Sequence, residues 1–376
     1  MRICHMTTVH PAKDTRIFYR MAQSLARKGL SVVLIAPEQF EDSLVEASSW
    51  NERIARTSWR IPRMYLALRA ALYEHADIYH FHDPELIPVG LALTLLRPSS
   101  AVVYDVHEDY PAMMRVKHWI PPFLRPLVAA LVHVINVGAG KMLHGIVTAD
   151  PSVQQDFLRV APKKTLVFYN FPEWSLFRSS GRRDSDVHAD LVYVGGISER
   201  AGTFVLLDAL ALLAQEGLHP TVRLAGYTDG EAGWATIHDG ICQRGLEKQV
   251  EYVGRIPASQ VPEWIRSGRI GLVTLQPIAK FLKNIPSKLF EYWACGLPVI
   301  ASDLPPIRRF VSHGDNGLLF QATRASELAQ AIQQLLAQPV RCDAMGHYGQ
   351  QQVQETWNND CQVNELITFY EQIRKN

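Results

Sequence analysis

Short apolar runs alternate with amphipathic stretches along most of the chain. Arg2 to Thr7 and Val32 to Ala36 read as buried strands, and between them Ile17, Met21, Ala22 and Leu25 share a helical face that Gly29 ends. Further strand-like runs fall at 77–83, 101–105, 145–149 and 166–170. The rhythm resumes with strands at 191–194, 222–225, 250–253 and 270–275 and a helix at 203–213. Apolar runs of this kind suit parallel strands covered on both faces, so the pattern predicts two doubly wound α/β units. Residues 173–188, EWSLFRSSGRRDSDVH, are polar and aperiodic and read as a linker. The expected division is an N-terminal domain at 1–172, that linker, a C-terminal domain at 189–352 and a final helical segment at 353–376. In the last, Trp357, Cys361, Leu366, Phe369 and Tyr370 fall near helical spacing.

One stretch, NIPSKLFEYWACGLPVIAS at 284–302, carries the sharpest local signals. Asn284 can cap a helix, and Pro286 suits a first turn, where a missing N–H costs nothing. Leu289, Phe290, Trp293 and Ala294 form a buried stripe. Gly296 stops the helix, Pro298 prevents its resumption, and Val299 to Ala301 reads as a strand. A helix start offers unpaired donors to an anion; Lys283 and Lys288 flank it, and Glu291 lies one turn after Lys288.

Composition narrows the field only slightly. The 376 residues carry a net charge of +1, which gives no argument for nucleic acid. The first 172 residues are mildly basic and the remainder mildly acidic, a difference too small to establish a membrane partner by itself. Five scattered cysteines, with no metal-like spacing, read as buried free thiols. The N-terminus has no signal-like apolar core, and the apolar segment 119–137 is interrupted by Pro121, Pro122, Arg125, Pro126 and His133, against a transmembrane reading. A G-x-G-x-x-G fingerprint is missing, which weakens a dinucleotide reading.

Three polar clusters sit where strands end, the usual ligand crevice of open α/β sheets. His10, Asp14 and Arg16 follow the first strand; the bland alternative makes Asp14 a helix cap and Arg16 a solvated charge. Asp77 to Asp83 ends in H-F-H-D, and Tyr104 to Pro111 reads Y-D-V-H-E-D-Y-P, with His107 favoured as functional. No metal site is expected, since His80 and His82 lack a clear third ligand in the sequence. An arginine-rich stretch at 51–75 suits a surface helix, with an anionic bilayer as the other reading.

The 284–302 stretch resembles the C-terminal signature of the family 4 (group 1) glycosyltransferases, P-x-K-x-x-E-Y, a small residue, then G-x-P-V-I. Y-D-V-H-E-D-Y-P, the D-x-x-H-x-H-D element and the loop H-P-x-x-D-x-R-I-F extend the resemblance over nearly the whole chain. It implies the GT-B fold: two Rossmann-like domains facing across a cleft, with the C-terminal helix crossing back to the N-terminal domain. It implies that Glu291 binds the ribose of a nucleotide-sugar donor, that the helix start at Asn284 faces the diphosphate, and that His107 reaches the donor sugar or its phosphate. It places Asn170 near the donor at the domain junction, sets Gly254 and Arg255 beside the base, and puts His10, Asp14, Arg16 and Glu108 on the acceptor side.

Two departures stand out. Where many members carry a second glutamate, this chain has Lys283. Where the family places an arginine and a lysine after the first strand of the second domain, following Gly195, it has Gly196 and Ala201, with Arg200 adjacent. Lys283, Lys288 and Arg200 are therefore the expected cations for a leaving diphosphate. The resemblance implies a retaining, metal-independent transferase with no cofactor beyond the nucleotide-sugar co-substrate. A saccharide or lipid-linked acceptor of cell-surface polysaccharide or lipopolysaccharide synthesis is expected. So is a cytoplasmic location, with a peripheral position on the inner face of the plasma membrane as its extension. A nucleotide-sugar epimerase and a non-catalytic nucleotide-sugar-binding subunit are the competing readings.

Overall fold

The computed structural model describes residues 1–177 and 187–375. It divides into two compact units, Met1–Asn170 with Asn359–Asn376, and Phe171–Asn358. The expected linker at 173–188 lies largely outside the described residues. Its start does not run as free chain: Trp174–Phe177 is a short helix that buries Phe177.

The first unit is built on a seven-stranded parallel sheet. Its strands are β1 (Arg2–Met6), β2 (Ser31–Ile35), β3 (Val45–Ala47), β4 (Ile78–Phe81), β5 (Ala101–Val106), β6 (Gly145–Thr148) and β7 (Thr165–Val167), in the order β3-β2-β1-β4-β5-β6-β7. β1, β4, β5 and β6 are buried almost throughout, which explains their lack of alternation. The strand order reverses between β1 and β4, where a ligand crevice is expected.

A nine-residue π-helix, Thr15–Gln23, follows β1 and runs on as α-helix Ser24–Arg27. Asp14 caps it, its carboxylate accepting from the N–H groups of Arg16 and Ile17. The final helix, Asn359–Arg374, belongs to this unit. Its Val363, Leu366, Phe369, Tyr370 and Ile373 join Ile3, Ile17, Val103 and Phe168 in one core cluster. It starts six residues after the boundary the sequence suggests, because Pro339–Glu355 is a separate helix of the second unit.

The second unit holds six parallel strands, β8 (Ala189–Val194), β9 (Val222–Ala225), β10 (Val250–Tyr252), β11 (Gly268–Val273), β12 (Val299–Ser302) and β13 (Gly317–Phe320). Their order is β10-β9-β8-β11-β12-β13, so here the switch point lies between β8 and β11. No helix among the described residues is long and apolar enough to cross a membrane. Of the cysteines, Cys4, Cys295 and Cys342 are buried; Cys242, expected inside, is exposed, and Cys361 is partly so.

Two candidate functional sites at the sheet switch points

In the second unit, the switch point opens into a pocket of about 430 Å³. Loops after β8, β9 and β11, the last running on through residue 288, form its wall, including Gly196, Arg200, Tyr227, Lys280, Asn284 and Lys288. Backbone shape brings these loops together. Gly195 has φ +129°, and a Cβ there would lie 3.0 Å from the Lys288 ammonium. A Cβ on Gly226, at φ +150°, would fall 1.7 Å from the Gly195 carbonyl oxygen. Only glycine lets these turns close so tightly.

The helix expected from Asn284 starts at Lys288 and ends at Ala294, only seven residues. Residues 284–286 are irregular loop, and Ser287 takes the cap position without a side-chain bond. A helix this short lends little dipole to an anion, so the polar side chains dominate the pocket's electrostatics. Lys288 is the main one. Its Nζ stands 3.7 Å from the centroid of the Tyr193 ring and donates to no described side chain or carbonyl. Burial pushes its ammonium down to about 7, with the Glu291 charge opposing.

The other donor-side candidates scatter. Arg200 lines the pocket, and Asp229 meets it at 3.3 Å. Arg255 stacks 5.3 Å from the centroid of the Tyr227 ring, one layer behind that wall residue. Lys283, expected to flank the phosphate, is exposed and lies outside the wall; Lys280 takes that place. Glu291 is one turn along the helix, also outside the wall.

In the first unit a buried polar network covers the ends of β1, β4 and β5. Arg16 is its cation and is not solvated. Its Nε and Nη2 reach the two oxygens of Asp105 at 3.0 and 2.8 Å. Its Nη1 donates to the Phe168 carbonyl at 2.7 Å and to Asn170 Oδ1 at 3.1 Å. Asp105 also takes His107 Nε2 at 2.8 Å and His82 Nδ1 at 3.1 Å on one oxygen. His82 Nε2 in turn meets His5 Nδ1 at 2.9 Å. This relay puts the His107 proton on Nε2 and leaves its Nδ1 as an acceptor.

Burial alone would raise the Asp105 carboxyl. Arg16, then His107 and His82, outweigh it and hold the group well below the usual carboxylate range. Asp83 organises the outer loop, accepting from Thr8 N at 2.6 Å and Thr7 Oγ1 at 2.9 Å. It sets His10 3.5 Å away, with the His107 ring 5.2 Å from that of His10. Glu108 points elsewhere, into a small recess with Asp109, His133 and Asp156.

Pairing of β1 with β4 supplies the third ligand-type neighbour that the sequence hides, since His5 lies opposite His80. His5, His80 and His82 could in principle hold a metal ion, as could His82, Asp105 and His107. The second set is bonded within itself, while in the first, sealed at zero exposure, His5 and His80 each keep a buried Nε2 without a hydrogen-bond partner among the described residues. His80 instead reaches the Tyr370 hydroxyl on the last helix.

Burial pushes all three of these histidines down, so the folded chain holds them neutral. The unfolded chain protonates them below a pH of about 6.5. The unfolded state then binds more protons, and stability falls as pH drops, by roughly 1.4 kcal/mol per unit for each histidine kept neutral. Urea midpoints at pH 7.5, 6.5 and 5.5 should decline steeply over the last step. A flat series would contradict the sealed cluster.

These two parallel sheets are those of the GT-B glycosyltransferase fold. The family model described as Glycosyltransferase Family 4 matches residues 15–171, and that described as Glycosyl transferases group 1 matches 188–338. The chain belongs to this family. D-inositol 3-phosphate glycosyltransferase of Pseudarthrobacter chlorophenolicus is 27% identical over 175 residues, 45% of this chain and 40% of that protein. Amylovoran biosynthesis glycosyltransferase AmsK of Erwinia amylovora is 30% identical over 147 residues, 39% and 35% of the two chains. The match thus spans about two fifths of the length of such curated relatives. Among solved structures, Anabaena Alr3699/HepE in complex with UDP and glucose superposes with a TM-score of 0.69 at 17% identity, over 99% of this chain and 100% of that one.

Proposed function

We propose that this protein transfers a sugar from a nucleoside-diphosphate sugar to an acceptor hydroxyl with retention of configuration. The observation that carries this reading is the Lys288 ammonium, unspent by any described acceptor, in the wall of a pocket at the sheet switch point. As the bond from the sugar C1 to the diphosphate oxygen breaks, negative charge grows on the departing phosphate. Lys288, with Lys280 and Arg200 in the same wall, stabilises it. The acceptor oxygen bonds to C1 on the same face, and its proton passes to the leaving phosphate. Neither a metal nor a resident cofactor is required, and the protein's part is positioning and charge stabilisation.

His107 would orient the donor sugar, its tautomer fixed by Asp105; Glu291 would take the ribose. The AmsK likeness supports a polysaccharide-building role. On this reading the acceptor is a lipid-linked saccharide at the inner face of the plasma membrane. A thermal-shift panel of uridine, guanosine, adenosine and thymidine diphosphates tests the donor site. One nucleotide should raise the melting temperature, as any ligand selective for the folded state does. Its labelled sugar conjugate should then label an acceptor only when a lipid extract is present. Indifference to every nucleotide, or conversion of the sugar without acceptor, would reject the reading.

A further inference from the structure

The helix Arg125–Met142 of the first unit is inside out. Its buried residues are small or polar: Ala129, Asn136, Ala139 and Gly140. Asn136 accepts from the Tyr104 hydroxyl at 3.1 Å, and a Cβ on Gly140 would meet the Phe157 ring at 2.7 Å, so this side is fixed inward. The large apolar residues face solvent. Leu127, Leu131, Val134 and Met142 are each 58–67% exposed and recur at helical spacing. Just before the helix, Trp119 and Phe123 are 74% and 80% exposed. A contiguous apolar face of this size on a folded chain marks an interaction surface.

Charge narrows the occupant. From Tyr110 through Ala149 the chain has no aspartate or glutamate, but carries Arg115, Lys117, Arg125 and Lys141. None of these four forms an ion pair with a described residue; the acid in ion-pair range of the helix is Asp156, 3.7 Å from His133. A two-fold contact with a second copy would bring like charges together, with no acid in the segment to neutralise them. Anionic headgroups complement them, and an exposed Trp and Phe suit the bilayer interface.

The arginine-rich stretch 51–75 is the weaker candidate, because its cations are spent within the protein. Arg56 pairs with Glu52 and Arg60 with Glu85; Arg63 donates to the Thr57 and Thr8 carbonyls; Arg53 and Arg69 stack on Trp50.

We infer that residues 115–142 form a monotopic docking face for an anionic lipid bilayer, with helix Arg125–Met142 lying in the plane of the interface. The inference names the surface behind the proposed membrane position and rests on that reading only for the acceptor's lipid nature. The test is flotation of the full chain with vesicles of phosphatidylcholine alone and of phosphatidylcholine with a quarter phosphatidylglycerol, at 50 and 500 mM salt. The wild type should float with the anionic vesicles, at least tenfold less with the neutral ones, and less at high salt. The double variant Leu127→Glu, Leu131→Glu should lose at least tenfold in bound fraction while its circular dichroism and melting temperature stay unchanged. Arg115→Glu with Lys117→Glu should lose binding in a salt-dependent way. A wild type that ignores all vesicles, or a double glutamate variant that floats as well as wild type, overturns the inference. So does a vesicle-indifferent dimer that the double variant turns into a monomer. Nucleotide-induced thermal shifts, measured without lipid, report separately on the donor site.

Discussion

Exchanging Lys288 for methionine should weaken nucleoside-diphosphate binding by about 10- to 100-fold, the worth of one charged hydrogen bond of ~1.5–3 kcal/mol. The folded chain should not suffer, because the ammonium has no described hydrogen-bond acceptor to lose. Acidity gives a second signature. With its pKa pushed down to about 7, Lys288 is largely neutral above that pH in the free protein. A phosphate favours the protonated form, so binding takes up a proton. Wild-type affinity should therefore fall, by up to about tenfold per pH unit, as pH rises from 7 to 8.5. The methionine variant should lack that dependence. Titration calorimetry in buffers of differing ionisation heat reads both effects. Equal affinities for the two proteins at pH 7 would remove Lys288 from the site.

Removing the Asp105 carboxylate should produce the largest loss of stability. Asp105→Ala leaves Arg16, itself buried, with two neutral acceptors and no counter-charge. Breaking a buried pair from one side costs about 3–5 kcal/mol, a fall in melting temperature on the order of 10 °C for a unit this size. The double change Arg16→Met, Asp105→Leu should recover most of it, since no charge is then stranded. A single variant that melts like wild type would mean that the network carries no net strain of burial. Linkage gives the same sign: the Asp105 contribution is present above a pH of about 4 and is lost as the solution becomes more acidic.

The fold could be read from the sequence because parallel strands buried on both faces leave apolar runs, as β2, β6 and β12 do, whereas the edge strands β3 and β10 are short and each carries an exposed glutamate. Boundaries were less legible. Asn284 and Pro286 have the chemistry of a helix start, yet the chain keeps them irregular and winds up only at Lys288. The pocket wall then takes in Lys280 rather than Lys283, a choice set by a turn at 280–284 that no periodicity signals.

Arg16 was visible as a polar residue in a loop, but its burial depends on Asp105, 89 positions away. Asp105 itself left a trace, a lone acid inside an apolar strand. His5 left none, because its neighbours come from strand register. Trp119, Phe123 and the residues after them read only as an interrupted apolar segment; the packing of Asn136 and Gly140 shows which side faces in.

The first unit is discontinuous, and that sets an order on synthesis. Its sheet leaves the ribosome early, but the helix that covers Ile3, Val103 and Phe168 is made only after all of Phe171–Asn358. At about 5–20 residues per second the delay is on the order of tens of seconds. Until then the nascent half holds an apolar seam open, a natural chaperone client. A chain cut short anywhere before residue 359 lacks the piece that seals it.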